Sequence, residues 1–237
     1  MSEPYYQDDL VTLFHGDCLE VAEWLAADVL VTDPPYGIAW TAHTGGYKGK
    51  GSQTEIRNAV SGDNSTEVRD AVLAAWGEQR SAIVFGTWRV QRPDKAQHRL
   101  IWHKKGHAPG PANMPFMSND EEIYILGNGF RPSSPPLRSV ITTQEARSVE
   151  VNRIGHPTPK PIGLMEILLD RCPAGVVADP FAGSGSTLIA ARNLGRPSIG
   201  VELEERYCEL IAKRLSQQAF DFGSLEDEVR SSGWAHV

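Results

Sequence analysis

The sequence lacks the features that mark membrane, secreted and disulfide-rich proteins. It contains no run of about 18 apolar residues, so no membrane span is expected. Residues 1–4 offer neither a basic flank nor an apolar signal core. Its three cysteines, Cys18, Cys172 and Cys208, are widely separated and form neither a disulfide framework nor a metal pair. We therefore expect a reduced, cytoplasmic setting, with the cysteines as small semi-buried side chains and no metal.

Basic charge is scarce over the whole chain but concentrated in two segments. The net charge is −7, and residues 1–35 hold eight acidic and no basic side chains. Lys and Arg instead cluster in residues 88–107 and 131–160. Because the local field matters more than the total charge, this distribution is compatible with a nucleic-acid partner. The alternative is a solvated surface of mixed charge.

Alternating strand and helix patterns predict one α/β domain. The chain of 237 residues is long enough for one substantial core. Apolar β-type runs predict seven strands, at residues 10–14, 29–32, 81–86, 100–102, 122–127, 176–178 and 198–201. Helical periodicity predicts helices at residues 18–26, 66–78, 162–171, from 188 onward, and 204–220. The opening strand, helix and strand predict a parallel unit, whereas a short loop makes the fifth strand a candidate for an antiparallel one.

Three segments interrupt this pattern. Residues 37–62 are rich in glycine, which predicts a mobile lid, with simple disorder as the alternative. Residues 128–155 combine prolines and arginines and predict an irregular surface excursion. Residues 221–237 are acidic and predict a frayed tail.

Asp33-Pro34-Pro35-Tyr36 directly follows the strand at residues 29–32. In open α/β sheets, chemistry collects beyond the carboxyl ends of such strands. The prolines fix the backbone, so the Asp33 carboxylate and the Pro34 carbonyl can serve as two rigid acceptors beside the Tyr36 ring. This combination suits a planar base with an exocyclic amino group. Four residues alone are equally compatible with an ordinary strand-ending turn.

The segment 179–187 forms a second dense region, between a strand and a helix. Gly183 and Gly185 would let a ligand approach the backbone and its free amides, as in nucleotide-binding corners. No lysine follows Gly185 and no third glycine is present, so neither the phosphate loop nor the hydride-cofactor fingerprint is matched. Glu202 lies about 20 residues further on, at the interval where an acid can accept from both hydroxyls of a ribose.

Four motifs in one order carry a family resemblance: Asp33–Tyr36, residues 156–161 (His-Pro-Thr-Pro-Lys-Pro), residues 179–187 and residues 200–215. Together they resemble the amino-group DNA methyltransferases that use S-adenosylmethionine. The order, with the glycine-rich turn last, is similar to the circularly permuted β-type arrangement, which is also found in bacterial and phage enzymes. The resemblance implies a Rossmann-like sheet of seven mostly parallel strands, one antiparallel strand and helices on both faces. It also implies one catalytic domain at residues 1–220, a short target-recognition insertion at about residues 106–155, and a location at the nucleoid of a bacterial or phage-infected cell.

The resemblance also implies roles for individual residues, with DNA as partner and S-adenosyl-L-methionine as cofactor. The target amino group would bind Asp33 and Pro34 and the base would stack on Tyr36, so the catalytic residues are Asp33, Pro34, Pro35 and Tyr36. The expected cofactor-binding residues are Asp17, Asp33, Thr158, Lys160, Asp179, Phe181, Ala182, Gly183, Ser184, Gly185, Thr187 and Glu202. Asp17 would lie by the adenine, Glu202 at the ribose, and Thr158 with Lys160 at the carboxylate. The expected DNA contacts are Lys48, Lys50, Arg89, Arg92, Lys104, Lys105 and Arg138.

The substrate base stays open between two amino groups. In this family Asp at the position of Asp33 favours adenine N6, and Ser is more often found with cytosine N4. Methylation of RNA or of a protein glutamine is an alternative, although those pockets usually have Asn at this position. A non-catalytic nucleotide-binding module or a dehydrogenase would leave Asp33–Tyr36 unexplained, and the order Cys172-Pro173 does not fit a ring-carbon methylase. We expect relaxed or short-site specificity, or recognition shared across a homodimer.

Overall fold

The computed structural model describes residues 2–37, 65–105, 116, 119–133, 135–143 and 159–217. Within these residues nine strands form one sheet: β1 Tyr6–Gln7, β2 Val11–His15, β3 Val29–Thr32, β4 Ala82–Gly86, β5 His98–Lys104, β6 Asp120–Leu126, β7 Val140–Thr143, β8 Val177–Asp179 and β9 Ser198–Glu202. The helices are α1 Glu67–Trp76, α2 Ile162–Leu169, α3 Ser186–Asn193 and α4 over residues 205–217, with a 3-10 helix at Glu23–Ala26.

The sheet order places the functional strand ends at one edge. Its strands follow the order β1-β2-β9-β8-β3-β4-β6-β5-β7. Strands β2, β9, β8, β3 and β4 run parallel to one another, β6 is antiparallel to both of its neighbours, and β7 is parallel to β5. The carboxyl ends of the parallel strands therefore share one edge, called here the carboxyl edge, with the amino end of β6.

Helices cover both faces of this sheet because its central strands are apolar on both sides, as is usual for parallel sheets. In β3, Val29 and Val31 face the core formed with α2 and α3, whereas Leu30 faces the opposite core. That second core contains Trp76 of α1 stacked on Trp24 of the 3-10 helix, with ring centroids 6.0 Å apart. The predicted α/β architecture with helices on both faces is confirmed.

All seven predicted strands are present, and two short strands extend the sheet at its outer edges. Among the seven predicted strands, β6 is the one that runs antiparallel to its neighbours, as expected, and the added strand β1 is also antiparallel to β2. The expectation of irregular structure throughout residues 128–155 is wrong, since β7 lies within this range. Its four residues are stabilised by pairing with β5 and by the Trp102 indole, which donates to Thr143 Oγ1 at 3.0 Å. A strand of four residues forms only by pairing with its neighbour, so its sequence alone gives little indication of it.

The helix predicted at residues 18–26 is also wrong, because only the 3-10 turn at Glu23–Ala26 forms. The amides of Glu20 and Val21 donate to the Asp17 carbonyl, and the Trp24 indole donates to the Cys18 carbonyl at 2.9 Å. These local bonds tighten the connection into turns in place of a regular helix.

Several predictions fall on other parts of the chain. The glycine-rich segment beyond Gly37, Lys48, Lys50, Thr158 and the tail at residues 221–237 lie outside the described residues. Of residues 106–155, the described part includes β6 and β7, which belong to the main sheet. Within the described ranges, none of the helices combines the length and apolarity needed to cross a membrane.

Candidate active site at the carboxyl edge

The two motifs predicted to hold the target and the cofactor meet where β3 and β8 end. These strands pair in parallel, and the Thr32 hydroxyl at the end of β3 donates to Asp179 Oδ1 at the end of β8, at 2.6 Å. Asp33 follows Thr32 directly, and the glycine-rich turn follows Asp179 directly. This side-chain hydrogen bond therefore links the two strand ends at which the motifs begin.

Asp33 is the centre of a half-buried polar cluster. Its Oδ1 accepts a hydrogen bond from the Tyr36 hydroxyl at 2.7 Å, and its Oδ2 forms an ion pair with Lys160. Glu121, at the amino end of β6, reaches the same partners: its Oε2 lies 3.2 Å from the Tyr36 hydroxyl and 3.3 Å from Lys160 Nζ. The other oxygen of Glu121 pairs with Lys104 at the end of β5. The cluster thus contains two carboxylates, two ammonium groups and one phenol.

Lys160 forms ion pairs that its expected role at the cofactor carboxylate did not predict. Its side chain is 7% exposed and lies between Asp33 and Glu121. The ammonium is also 5.0 Å from the centroid of the Phe85 ring and 5.8 Å from that of Tyr36. A contact with cofactor stays a prediction, and the structure adds an ion pair with the catalytic carboxylate.

The pKa directions in this cluster follow from burial and from neighbouring charge. Burial raises the pKa of Asp33, Lys160 opposes this shift and Glu121 adds to it. Burial acts to lower the pKa of Lys160, but Asp33 and Glu121 outweigh it and the pKa is raised. Burial and both carboxylates also raise the pKa of Tyr36 well above its ordinary value. Lys160 is therefore a cation and Tyr36 a neutral hydrogen-bond donor.

The glycine-rich turn between β8 and α3 has the backbone that its residues predicted. Gly183 and Gly185 have φ of 53° and 78°, in the left-handed region that favours glycine. A Cβ at Gly185 would lie 2.9 Å from Cγ1 of Ile211 in α4, so a side chain does not fit there without movement. The carbonyl of Ser184 accepts from Arg214 of the same helix. Helix α4 thus holds the turn from one side.

Glu202, at the end of β9, is buried and bound to this turn. Its Oε2 accepts from the Gly183 amide at 2.7 Å and its Oε1 accepts from the Glu204 amide at 2.8 Å. Each carboxylate oxygen has two acceptor positions, so one on each remains for a ligand. Burial raises the pKa of Glu202 to about 7, although both amide bonds oppose the shift. A ligand with two hydroxyl donors fits this arrangement.

The remaining predicted cofactor residues surround the same turn. Asp179 is buried, accepts from the Phe181 amide at 3.2 Å, and has its pKa raised by burial to about 6. Ala182, Ser184 and Thr187 are buried, and Phe181 is half-buried against the core that contains Trp24 and Trp76. Asp17 is exposed after β2, and its Oδ1 accepts from the Leu19 amide at 2.9 Å. The described residues include no group of three or more His, Cys, Asp and Glu side chains placed to hold a metal ion.

The predicted DNA contacts divide into three groups. Arg89 and Lys105 are exposed close after the carboxyl ends of β4 and β5, and Arg92 is exposed in the loop that leads from β4 to the amino end of β5. Lys104 is mostly buried in its ion pair with Glu121. Arg138 is exposed just before β7, and the amino end of that strand lies at the opposite edge of the sheet.

Two residues of this edge escaped the sequence reasoning. Glu121 lies in a run of three acidic residues, and only the antiparallel register of β6, with Glu122 opposite Gly86, places it beside Asp33. Trp88 is 69% exposed in the loop after β4, with the Arg89 guanidinium 5.8 Å from its ring centroid. The sequence did contain a signal for Trp88, because an aromatic residue just after a strand end and next to an arginine is typical of a nucleic-acid contact.

Comparison with known proteins decides the family. A family model described as DNA methylase, for the N6 and N4 methyltransferases, matches residues 48–214, which is more than half of the chain. The chain belongs to this family. Among curated relatives of this DNA methylase, YubD of Escherichia coli (strain K12), named as a methylase, is 30% identical over 224 residues, covering 90% of this chain and 94% of YubD.

Solved structures share the fold of this DNA methylase. The complex of M1.HpyAVI with SAM matches with a TM-score of 0.59 and 20% identity, covering 86% of this chain and 100% of the other. The PvuII DNA methyltransferase, cytosine-N4-specific, matches with a TM-score of 0.61 and 15% identity, covering 89% and 88%. At these identities the likeness concerns the fold. The family model therefore confirms the resemblance to amino-group DNA methyltransferases, and these structures confirm the fold.

Proposed function

We propose that this DNA methyltransferase transfers a methyl group from S-adenosyl-L-methionine to the exocyclic N6 amino group of an adenine flipped out of DNA. The observation that carries the proposal is the Thr32–Asp179 hydrogen bond, which joins the base of the Asp33–Tyr36 segment to the base of the glycine-rich turn. Two reactants bound at these adjacent strand ends would be held within one site. Positioning of this kind is a main source of rate acceleration in group transfer.

The residues of the turn fit the cofactor. Glu202 keeps one acceptor position on each oxygen for the hydroxyls of a ribose, and the left-handed glycines let a ligand approach the backbone closely. The buried carboxylates Asp179 and Glu202 also favour a ligand that carries positive charge. S-adenosylmethionine supplies an electrophilic methyl group on a sulfonium. We assign Asp179, Gly183, Gly185 and Glu202 to its binding.

The Asp33–Tyr36 segment would prepare the target amino group. The nitrogen lone pair of an aromatic amine is delocalised into the ring, so the amine is a poor nucleophile. Acceptors at both N–H bonds, the Asp33 carboxylate and the Pro34 carbonyl, favour a more pyramidal nitrogen with an available lone pair. The negative charge of Asp33 stabilises the positive charge that develops on that nitrogen. Because burial raises the pKa of Asp33, this carboxylate is also suited to take the proton that the amine loses.

Tyr36 would hold the base after flipping. Extruding a nucleotide from a duplex costs a few kcal/mol, and stacking on an aromatic ring offsets about 1–3 kcal/mol. The Tyr36 hydroxyl bond to Asp33 orients the ring before the base arrives. This preorganisation reduces the entropy that must be lost on binding.

Nucleoside mass spectrometry of unmethylated DNA, incubated with the protein and S-adenosylmethionine, tests the proposal. We expect N6-methyladenine from the wild type and none from Asp33→Ala, with Asp120→Asn, an exposed acid at the same edge, as the matched control that keeps activity. Calorimetry should show that Asp33→Ala still binds the cofactor through the four residues assigned above, even without the contact expected of Asp33. DNA that stays unmodified despite cofactor binding by the wild type would overturn the proposal in favour of RNA or protein substrates.

Cytosine N4 is the second candidate base. Its amino group offers the same two N–H donors to Asp33 and Pro34, and the PvuII enzyme, whose fold this chain shares, is cytosine-N4-specific. N4-methylcytosine in the same experiment would keep the mechanism and change the base.

A further inference from the structure

We propose that Glu121 is a positioning residue that takes over the Tyr36 hydroxyl and the Lys160 ammonium when Asp33 turns to the target amino group. This inference rests on the proposed function but holds for adenine and cytosine alike. Glu121 does not need to touch the substrate. It acts through the donors that it shares with Asp33.

The contacts around Asp33 create a competition for its oxygens. Both oxygens already have partners: Tyr36 at Oδ1, 2.7 Å away, and Lys160 at Oδ2. A target N–H bond that reaches either oxygen must displace or crowd one of these donors. A donor displaced in this mostly buried cluster, where the Lys160 side chain is 7% exposed, would lose its partner without gaining full hydration.

Glu121 removes this penalty because it already lies within reach of both donors. Its Oε2 is 3.2 Å from the Tyr36 oxygen and 3.3 Å from Lys160 Nζ. The Tyr36 hydroxyl has one proton and donates to one carboxylate at a time, so these distances describe two alternative acceptors. A small movement exchanges one acceptor for the other, and every buried donor keeps a partner in both arrangements.

The charges of the cluster make this exchange nearly neutral. Lys104 pairs with Oε1 of Glu121 and Lys160 pairs with Asp33, so each carboxylate has an ammonium partner. The charged and titratable groups that face Glu121 and Asp33 come from four segments of the chain: Lys104 from β5, Lys160 from before α2, Asp33 and Tyr36 from after β3, and Asp179 from β8. Movement of Lys160 toward Glu121 leaves the total charge of the cluster unchanged.

Glu121→Gln tests this role, because it keeps the shape and one acceptor oxygen but removes the charge. Lys160 and Tyr36 should then remain on Asp33, and the single-turnover rate with saturating DNA and cofactor should fall about tenfold or more. Since Glu121 is one cause that raises the pKa of Asp33, the acidic limb of the rate profile should move to lower pH. The affinity for S-adenosylmethionine should stay within about twofold. A role limited to folding would lower the rate equally at every pH.

Glu122→Gln is the matched control. Glu122 is the next residue of β6 on the opposite face, buried and paired with Arg99 at 2.9 Å. This change should lower the melting temperature but keep the pH profile of the rate. Glu121→Asp keeps the charge, so the acidic limb of its pH–rate profile should remain at the wild-type pH even if the rate is lower. This variant also tests the role of the charge if Glu121→Gln does not fold.

Two results separate the possible failures. If the wild type methylates DNA and Glu121→Gln keeps its rate and pH profile, the role of Glu121 is refuted. A wild-type protein that methylates no DNA would refute the proposed function instead, before any variant is compared.

Discussion

Glu202 should make cofactor binding depend on pH. Its carboxylate is buried, both oxygens accept backbone amides, and burial raises its pKa to about 7. If the ribose hydroxyls donate to this carboxylate, the ligand prefers the ionised form. Ionisation is lost as the pH falls through 7, so the dissociation constant for S-adenosylmethionine should rise on acidification.

The expected size follows from the titration of one group. With a pKa of about 7, the carboxylate is about 90% ionised at pH 8 and about 10% ionised at pH 6, so affinity should fall about tenfold between these values. Asp179, with a pKa of about 6, is about half-ionised at pH 6 and adds at most about twofold. The size of the change in affinity between pH 8 and pH 6 therefore shows which of the two carboxylates is responsible.

Isothermal titration calorimetry at pH 6 and pH 8 provides the measurement. Glu202→Gln should bind more weakly at pH 8, because Gln offers one oxygen where two amides need acceptors, and should lose most of the pH dependence. Glu78→Gln, which alters an exposed acid paired with Lys95 and distant in sequence from the turn, should retain the wild-type pH dependence. The reasoning is refuted if the wild type binds equally at both pH values, or if Glu202→Gln keeps the tenfold change.

Two further predictions concern the glycine turn and the DNA contacts. Gly185→Ala should lower the melting temperature more than Gly195→Ala, because both residues have left-handed φ but only Gly185 lies against Ile211. We expect the free energies of unfolding of the two variants to differ by about 1–3 kcal/mol, and equal melting temperatures would contradict this prediction. Arg89→Ala and Arg92→Ala should each reduce the salt slope of DNA binding by about one, measured by fluorescence anisotropy, with a smaller change for Arg138→Ala at the opposite edge. Slopes that stay at the wild-type value would remove Arg89 and Arg92 from the interface.

The sequence predicted those parts of the site that depend on chain order. Asp33, Asp179 and Glu202 each follow or end a buried apolar run, and parallel strands bring such ends to one edge. Glu121 was missed because it begins an antiparallel strand, so that its place depends on the register with β4, which no local pattern encodes. The position of Lys160 between two carboxylates depends on the packing of α2 against the sheet and was equally out of reach.

The acidic composition of this DNA methylase is less of an obstacle to DNA binding than its net charge of −7 suggests. At the centre of the site, the charges of Asp33 and Glu121 are balanced by Lys160 and Lys104. Burial raises the pKa of Glu202 to about 7, so this carboxyl is about half-protonated at neutral pH. Asp33, Glu121 and Glu202 therefore add less to the negative field at the carboxyl edge than three free carboxylates would. We therefore expect the exposed arginines in the loop after β4 to meet the phosphates of bound DNA, so that an acidic chain presents a basic rim around an acidic site.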